Sequence, residues 1–209
     1  MKALKKIVLV LIILIAIVLI AAAFVSKEMV YEKSITVNTP IETAWENVNS
    51  LEDLDNWSPW NDIDPNMKKE MTGTDGEIGA TASWDSEVKD VGKGSQTIAK
   101  MEAPNLFETD LKFYAPYESE AKGYIKLAKE ADATKITWGF HSEMPYPFNL
   151  MMVFSDMEEA MGDTWSNGLS KLKQLCEESY KKQLEEEKQK ALELQQQQEQ
   201  KQEQEQEEA

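Results

Sequence analysis

The sequence predicts an α+β domain in which an antiparallel β-meander is closed by a long C-terminal helix. Three observations carry that expectation. Runs of alternating apolar and polar residues recur between short turns, the signature of strands solvated on one face. A later segment carries apolar residues at three- and four-residue steps, which is helical spacing. Before both stands an alternating strand followed by a marked helix start.

The chain opens with "MKALKKIVLVLIILIAIVLIAAAFVSK", in which Ile7 to Val25 are uninterrupted apolar. At about 1.5 Å per residue such a run crosses a hydrocarbon core of about 30 Å. Lys2, Lys5 and Lys6 precede it, so the positive-inside rule places the N-terminus in the cytoplasm and the domain on the extracytoplasmic side. A cleaved signal peptide is the rival reading, since Ala21 and Ala23 offer an A-x-A-like site. The expected organisation is a transmembrane anchor over 1–27, a domain over 28–180 and a Glu/Gln-rich polar tail over 181–209.

"YEKSITVNTP" reads as a strand with Ile35 and Val37 on one face. Thr39, Pro40 and Glu42 then fit an N-cap, a first helical position and a capping-box partner. The helix that follows presents Ile41, Ala44, Trp45 and Val48, and is expected to break near Asn49 and Ser50. Next come "GATASWDSE", "LFETDLKFYA", "AKGYIKLAK" and "KITWGFHSEM", each with one apolar and one polar face. "TDGE", "VGKG", "YAPYES" and "KEADAT" supply hairpin turns between them. The closing helix carries Met157, Met161, Thr164, Trp165, Gly168, Leu172 and Leu175 on one stripe. Beyond Glu177 apolar residues become too sparse for a coiled-coil seam, so a polar helix fraying into disorder is expected.

These segments resemble the SRPBCC superfamily, also called START-like or polyketide cyclase-like, through "ITVNTPIETAWENVNSLEDLDNWSPWN", "FETDLKF", "KITWGF" and "NGLSKLKQLCE". The resemblance implies a helix-grip fold with an internal apolar cavity between sheet and last helix. It also implies a ligand class ranging from lipids to polyketide-like molecules. It does not single out an activity.

Several motifs invite chemistry and fail its requirements. Asp62, Asp64 and Asn66 match the first positions of an EF-hand loop, but Met67 stands where glycine is needed and Gly73 where glutamate is needed. Pro59 and Pro65 make "NWSPWNDIDPN" a corner instead, which buries Trp57 and Trp60. "VGKGS" lacks the phosphate-loop spacing and precedes a strand. His141, the single histidine, alternates with Trp138 and Phe140 and so points to the solvent face. Cys176 has no histidine near it in sequence and reads as a packed thiol. Gly168 either admits a close approach of the sheet or leaves room for a ligand. Lys and Arg total 22 against 38 acids, which excludes a nucleic-acid surface.

The residues expected to line a hydrophobic cavity are Trp57, Trp60, Trp84, Phe113, Trp138, Phe140 and Trp165, with Met157 and Met161 at a pliant mouth. Catalytic residues, metal ligands and a cofactor are not expected, because no triad, paired carboxylates or ligand cluster points inward. The reading is a membrane-tethered domain for a hydrophobic small molecule or lipid. A cyclase- or dehydratase-like enzyme, and a scaffold whose Gln/Glu tail recruits a protein partner, stand as alternatives.

Overall fold

The computed structural model describes residues 2–154 and 156–207. Helix α1 (Lys2–Ala23) is followed by strand β1 (Glu28–Val37) and three short helices, α2 (Ile41–Trp45), α3 (Leu51–Trp57) and α4 (Trp60–Ile63). Six strands come next: β2 (Lys68–Thr72), β3 (Thr81–Asp85), β4 (Lys93–Glu102), β5 (Leu106–Ala115), β6 (Ser119–Glu130) and β7 (Ala133–Glu143). A 3₁₀ segment (Phe148–Phe154) leads into helix α5 (Met157–Glu207).

The sheet is antiparallel throughout, in the order β1-β7-β6-β5-β4-β3-β2. β1 and β2 occupy opposite edges although they are neighbours in sequence. The connection must therefore cross six strand spacings, about 29 Å at 4.8 Å each. Helices α2 to α4 make that crossing, which places them on the apolar face. Helix α5 lies on the same face, packed chiefly along β1 and against α2 and α3.

Register fixes which side chains share that inner face. Ile35 opposes Ile136, which opposes Leu127, and Trp138 opposes Ile125, which opposes Phe107. The core joins Val37, Ile98, Phe107, Ile125, Leu127 and Ile136 of the sheet to Ile41, Val48 and Leu51 of the crossing and Leu169, Leu172 and Cys176 of α5.

Three local expectations change. Pro40 has φ −57° and ψ 152°, so it caps α2 rather than starting it, and no side-chain cap forms there. The Thr39 hydroxyl is instead buried without a partner. Strand β2, "KKEMT", has no sequence signal because all five residues are exposed on an edge strand. The polar tail does not fray within the described residues but continues α5 as one helix to Glu207. Its Gln, Glu, Lys and Ala residues are strong helix formers, with spaced pairs such as Lys182 with Glu186 and Gln189 with Glu193.

Candidate functional site

The aromatic residues of the inner face separate into two groups. In the first, Trp138 of β7 is the hub. Its ring stacks on Trp165 at 3.9 Å and 20°, and meets Trp57 at 4.9 Å and Trp60 at 5.6 Å edge-on. Tyr31 in turn meets Trp165 edge-on at 5.0 Å. Gly168 explains how α5 comes so close, since a Cβ there would lie 3.1 Å from both Pro59 Cδ and Trp138 Cζ3. The close approach, rather than a space for a guest, is what this glycine provides. Around Trp138 the expected hollow is thus filled by indole rings. Two shallow, open concavities, of about 350 Å³ and about 370 Å³, lie along α1 and along the outer face of α5. Neither lies between sheet and α5.

This closed half carries unmet polar capacity. The indole N–H groups of Trp57 and Trp165 are buried without partners, each a desolvation cost of about 1–3 kcal/mol.

The second group is Trp84 of β3 and Phe113 of β5, edge-on at 5.9 Å across β4. Gly94 of β4 lies under the Trp84 ring, and a Cβ there would fall 2.4 Å from Cζ2. Trp84 Nε1 donates to the Val91 carbonyl, which fixes the ring over β4. The main packing of α5 is on β1, α2 and α3, and that of α2 is on β6 and β7, away from this pair. Ala82, Trp84, Gln96, Leu111, Phe113 and Phe140 are half-buried, as are Trp60 and Trp138 of the first group, whereas Trp57 and Trp165 are fully buried. Gln96 donates to Thr109, whose hydroxyl donates to the Gly123 carbonyl, so the polar groups within this surface are matched. Met157 and Met161 are half-buried on the first turns of α5.

One polar constellation was not legible in the sequence. Tyr31 and Lys33, both on the inner face of β1, converge on the Glu158 carboxylate of α5; Lys33 is 2.6 Å from it and also donates to the Gly162 carbonyl. Burial and the Glu158 bond push the Tyr31 hydroxyl up to about 12. The Lys33 and Tyr31 hydrogen bonds hold Glu158 below the ordinary carboxylate value. Neither acid exchanges a proton near neutrality, and the cluster pins the start of α5 to β1.

The corner "NWSPWNDIDPN" is held by ordinary pairings. Asp62 meets Lys171, Asp64 accepts from Ser86, and Lys69 bridges Asp55 and Asn61. Asp75, in the β2–β3 turn, accepts from the backbone N–H groups of Leu51 and Glu52, closing the start of α3. Among the described residues no group of acids, histidine or cysteine is placed to hold a metal. His141 lies on the outer face as its spacing predicts, but is half-buried there, with Nε2 enclosed and unpartnered. Cys176 is fully buried, and burial with Glu177 beside it pushes its thiol up to about 12.

Residues 29–177 match the family model for polyketide cyclase / dehydrase and lipid transport proteins. The chain belongs to that family. Solved structures with the same fold include the Mll3558 protein of Rhizobium loti (TM-score 0.52, 10% identity, 71% of this chain and 96% of that one). A protein of Nitrosospira multiformis aligns at TM-score 0.50 and 19% identity, over 69% of this chain and 93% of its own. CV1439 of Chromobacterium violaceum aligns at 0.50 and 13%, over 71% and 96%. At these identities the likeness shows the fold alone. Comparison with curated proteins finds no match. Among the described residues one helix, Ala3–Ala23, is long and apolar enough to cross a membrane, a property it shares with signal sequences.

Proposed function

We propose that this chain is a membrane-anchored binding protein for a hydrophobic small molecule or lipid. Its binding surface is the half-open part of the inner sheet face around Trp84, Leu111, Phe113 and Phe140. The observation that carries the reading is the contrast within that face: around Trp138 four indoles pack on one another, with Trp57 and Trp165 fully buried, whereas the half-buried Trp84 and Phe113 meet each other across the sheet beside polar groups that are already matched. Such a surface gains by taking an apolar guest and offers few anchors for a polar one.

Binding is favoured over cyclase-like catalysis by the inner-face acids. General acid–base work needs a group titrating near the working pH, and both Tyr31 and Glu158 are displaced away from it. An uncleaved anchor is favoured over a signal peptide by contacts between domain and helix. Ala22, inside the A-x-A-like stretch, is buried, and Asn149 donates to the carbonyls of Ala22 and Val25. The N-terminus then faces the cytoplasm and the domain the other side.

The test is titration of the full chain in detergent micelles with a brominated fatty acid, following tryptophan emission. Quenching is expected, with its saturable part lost in Trp84→Phe. Equal quenching in wild type and Trp84→Phe would refute the assignment of the site.

A further inference from the structure

The segment between β7 and α5 has no part in the sheet face just described. From Met144 to Ser155 it contains no charged residue, although the chain as a whole carries −16. Its apolar side chains point outward: Phe148 is 61% exposed, Val153 60% and Phe154 84%. A monomer in water gains nothing by displaying three such groups together, so the patch calls for a cover.

The position of the patch says which cover. Tyr146 donates to the Leu19 carbonyl, and Asn149, itself fully buried, donates to the Ala22 and Val25 carbonyls. The 21 residues of the apolar helix, Ala3–Ala23, measure about 31 Å, which matches a hydrocarbon core of about 30 Å with no length to spare. Leu19 lies four residues before the end of that helix, about 6 Å inside it. A loop bonded at that level is held at or below the headgroups by the helix it grips. The same contacts tie the loop to the last turn of α1 and to the residues just after it, so the loop and the helix form one unit. Phe24, 87% exposed, continues the patch at the helix end. Charged residues resume on both sides of the loop, with Glu143 before it and Asp156 after it.

We infer that the Tyr146–Phe154 loop is a second membrane-binding element, inserting Phe148, Val153 and Phe154 into the interface of the leaflet where α1 ends. This rests on the reading of α1 as an anchor. The partner is a lipid surface bound through apolar burial. Charge attraction is not the source, since the loop has no cations and the domain is acidic. Insertion fixes the domain with the β1 start, the β7 end and the β5–β6 turn toward the bilayer, because register places all three at one end of the sheet. Tyr117, in that turn, is 78% exposed and faces the same way along the sheet.

The experiment uses the full chain reconstituted in phosphatidylcholine vesicles, with an environment-sensitive fluorophore on a single introduced cysteine. Native Cys176 is buried and does not compete for label. Three variants are compared: Phe154→Cys on the loop, Ile13→Cys at the middle of α1, and Asp132→Cys at the far end of the sheet. Lipids bearing a nitroxide near the headgroup, or at mid-chain, serve as quenchers. The expected pattern is loss of about half the emission at position 154 with the shallow quencher, loss at 13 with the deep one, and none at 132. Quenching at 13 without quenching at 154 overturns the inference and leaves the anchor standing. Absence of quenching at both overturns the two together. Self-quenching between copies labelled at 154, with no effect of the lipid nitroxides, also overturns it and assigns the patch to a second copy.

Discussion

The two parts of the inner face use the same residue types to opposite ends. Around Trp138, four indoles are pressed together by a helix brought close at Gly168. Around Trp84, an indole and a phenyl ring meet across β4, away from β1, β6 and β7 where α2 and α5 chiefly pack. Aromatic content alone therefore does not distinguish a core from a binding surface. What distinguishes them is whether a second layer is present. A ring covered on both sides contributes to folding, whereas a ring covered on one side keeps its second face for a guest.

Substitutions separate the two roles. The largest effect is expected from Trp138→Ala, which removes the hub of the closed cluster and should cost about 3–5 kcal/mol in urea unfolding. Gly168→Leu inserts a side chain where even a Cβ is tight; a loss of about 1–3 kcal/mol is expected in the same measurement. Trp84→Ala removes one member of a single ring pair and should cost less, about 1–2 kcal/mol, while abolishing saturable uptake of an apolar dye. If Trp84→Ala matched Trp138→Ala in stability and left dye uptake unchanged, the distinction between the halves would fail.

The pH response is smaller and sharpens the same contrast, because its groups lie on the closed side. Tyr31 is raised from 10.0 to about 12 and Cys176 from 9.0 to about 12. Both keep their protons in the folded state after the unfolded chain has released them, so stability falls as pH rises from 9 toward 12. Glu158 and Glu177 are lowered, so their contribution is present above 4.5 and is lost as pH falls below it. That acid limb should be shallow, since both carboxylates are largely solvated. Thermal midpoints across the pH range check both limbs. Least visible is the thiol itself: a disulfide reagent at neutral pH should find Cys176 silent until the chain is unfolded.

Sequence pattern foretold the elements that bury an apolar face. The alternation in "KITWGF" placed Trp138 inward, and the helical spacing of Trp165, Gly168 and Leu172 placed the closing helix. Where burial does not dictate the residue, the pattern was silent. Strand β2 is fully exposed and polar, so nothing in "KKEMT" marked it. The Thr39 capping box was a correct local motif overridden by the Pro40 backbone. For the candidate site, the inward direction of each aromatic was legible, but not the grouping. Whether Trp138 meets Trp165 or a cavity depends on contacts between residues far apart in sequence. The Tyr31–Glu158–Lys33 cluster was hidden for the same reason, since Glu158 lies more than a hundred residues from the other two.

Helix α5 starts beside the Lys33 end of β1, passes Asn38 through Glu177 and reaches α2 through Gln183. From Leu184 to Gln202 its residues touch water, and the 24 positions from Leu184 to Glu207 extend about 36 Å. Because the helix is rooted in the core at Leu169, Leu172 and Cys176, this mast rises from the sheet end opposite α1. Anything that grasps its glutamine-rich tip stands off from the folded domain by a distance set by residue count.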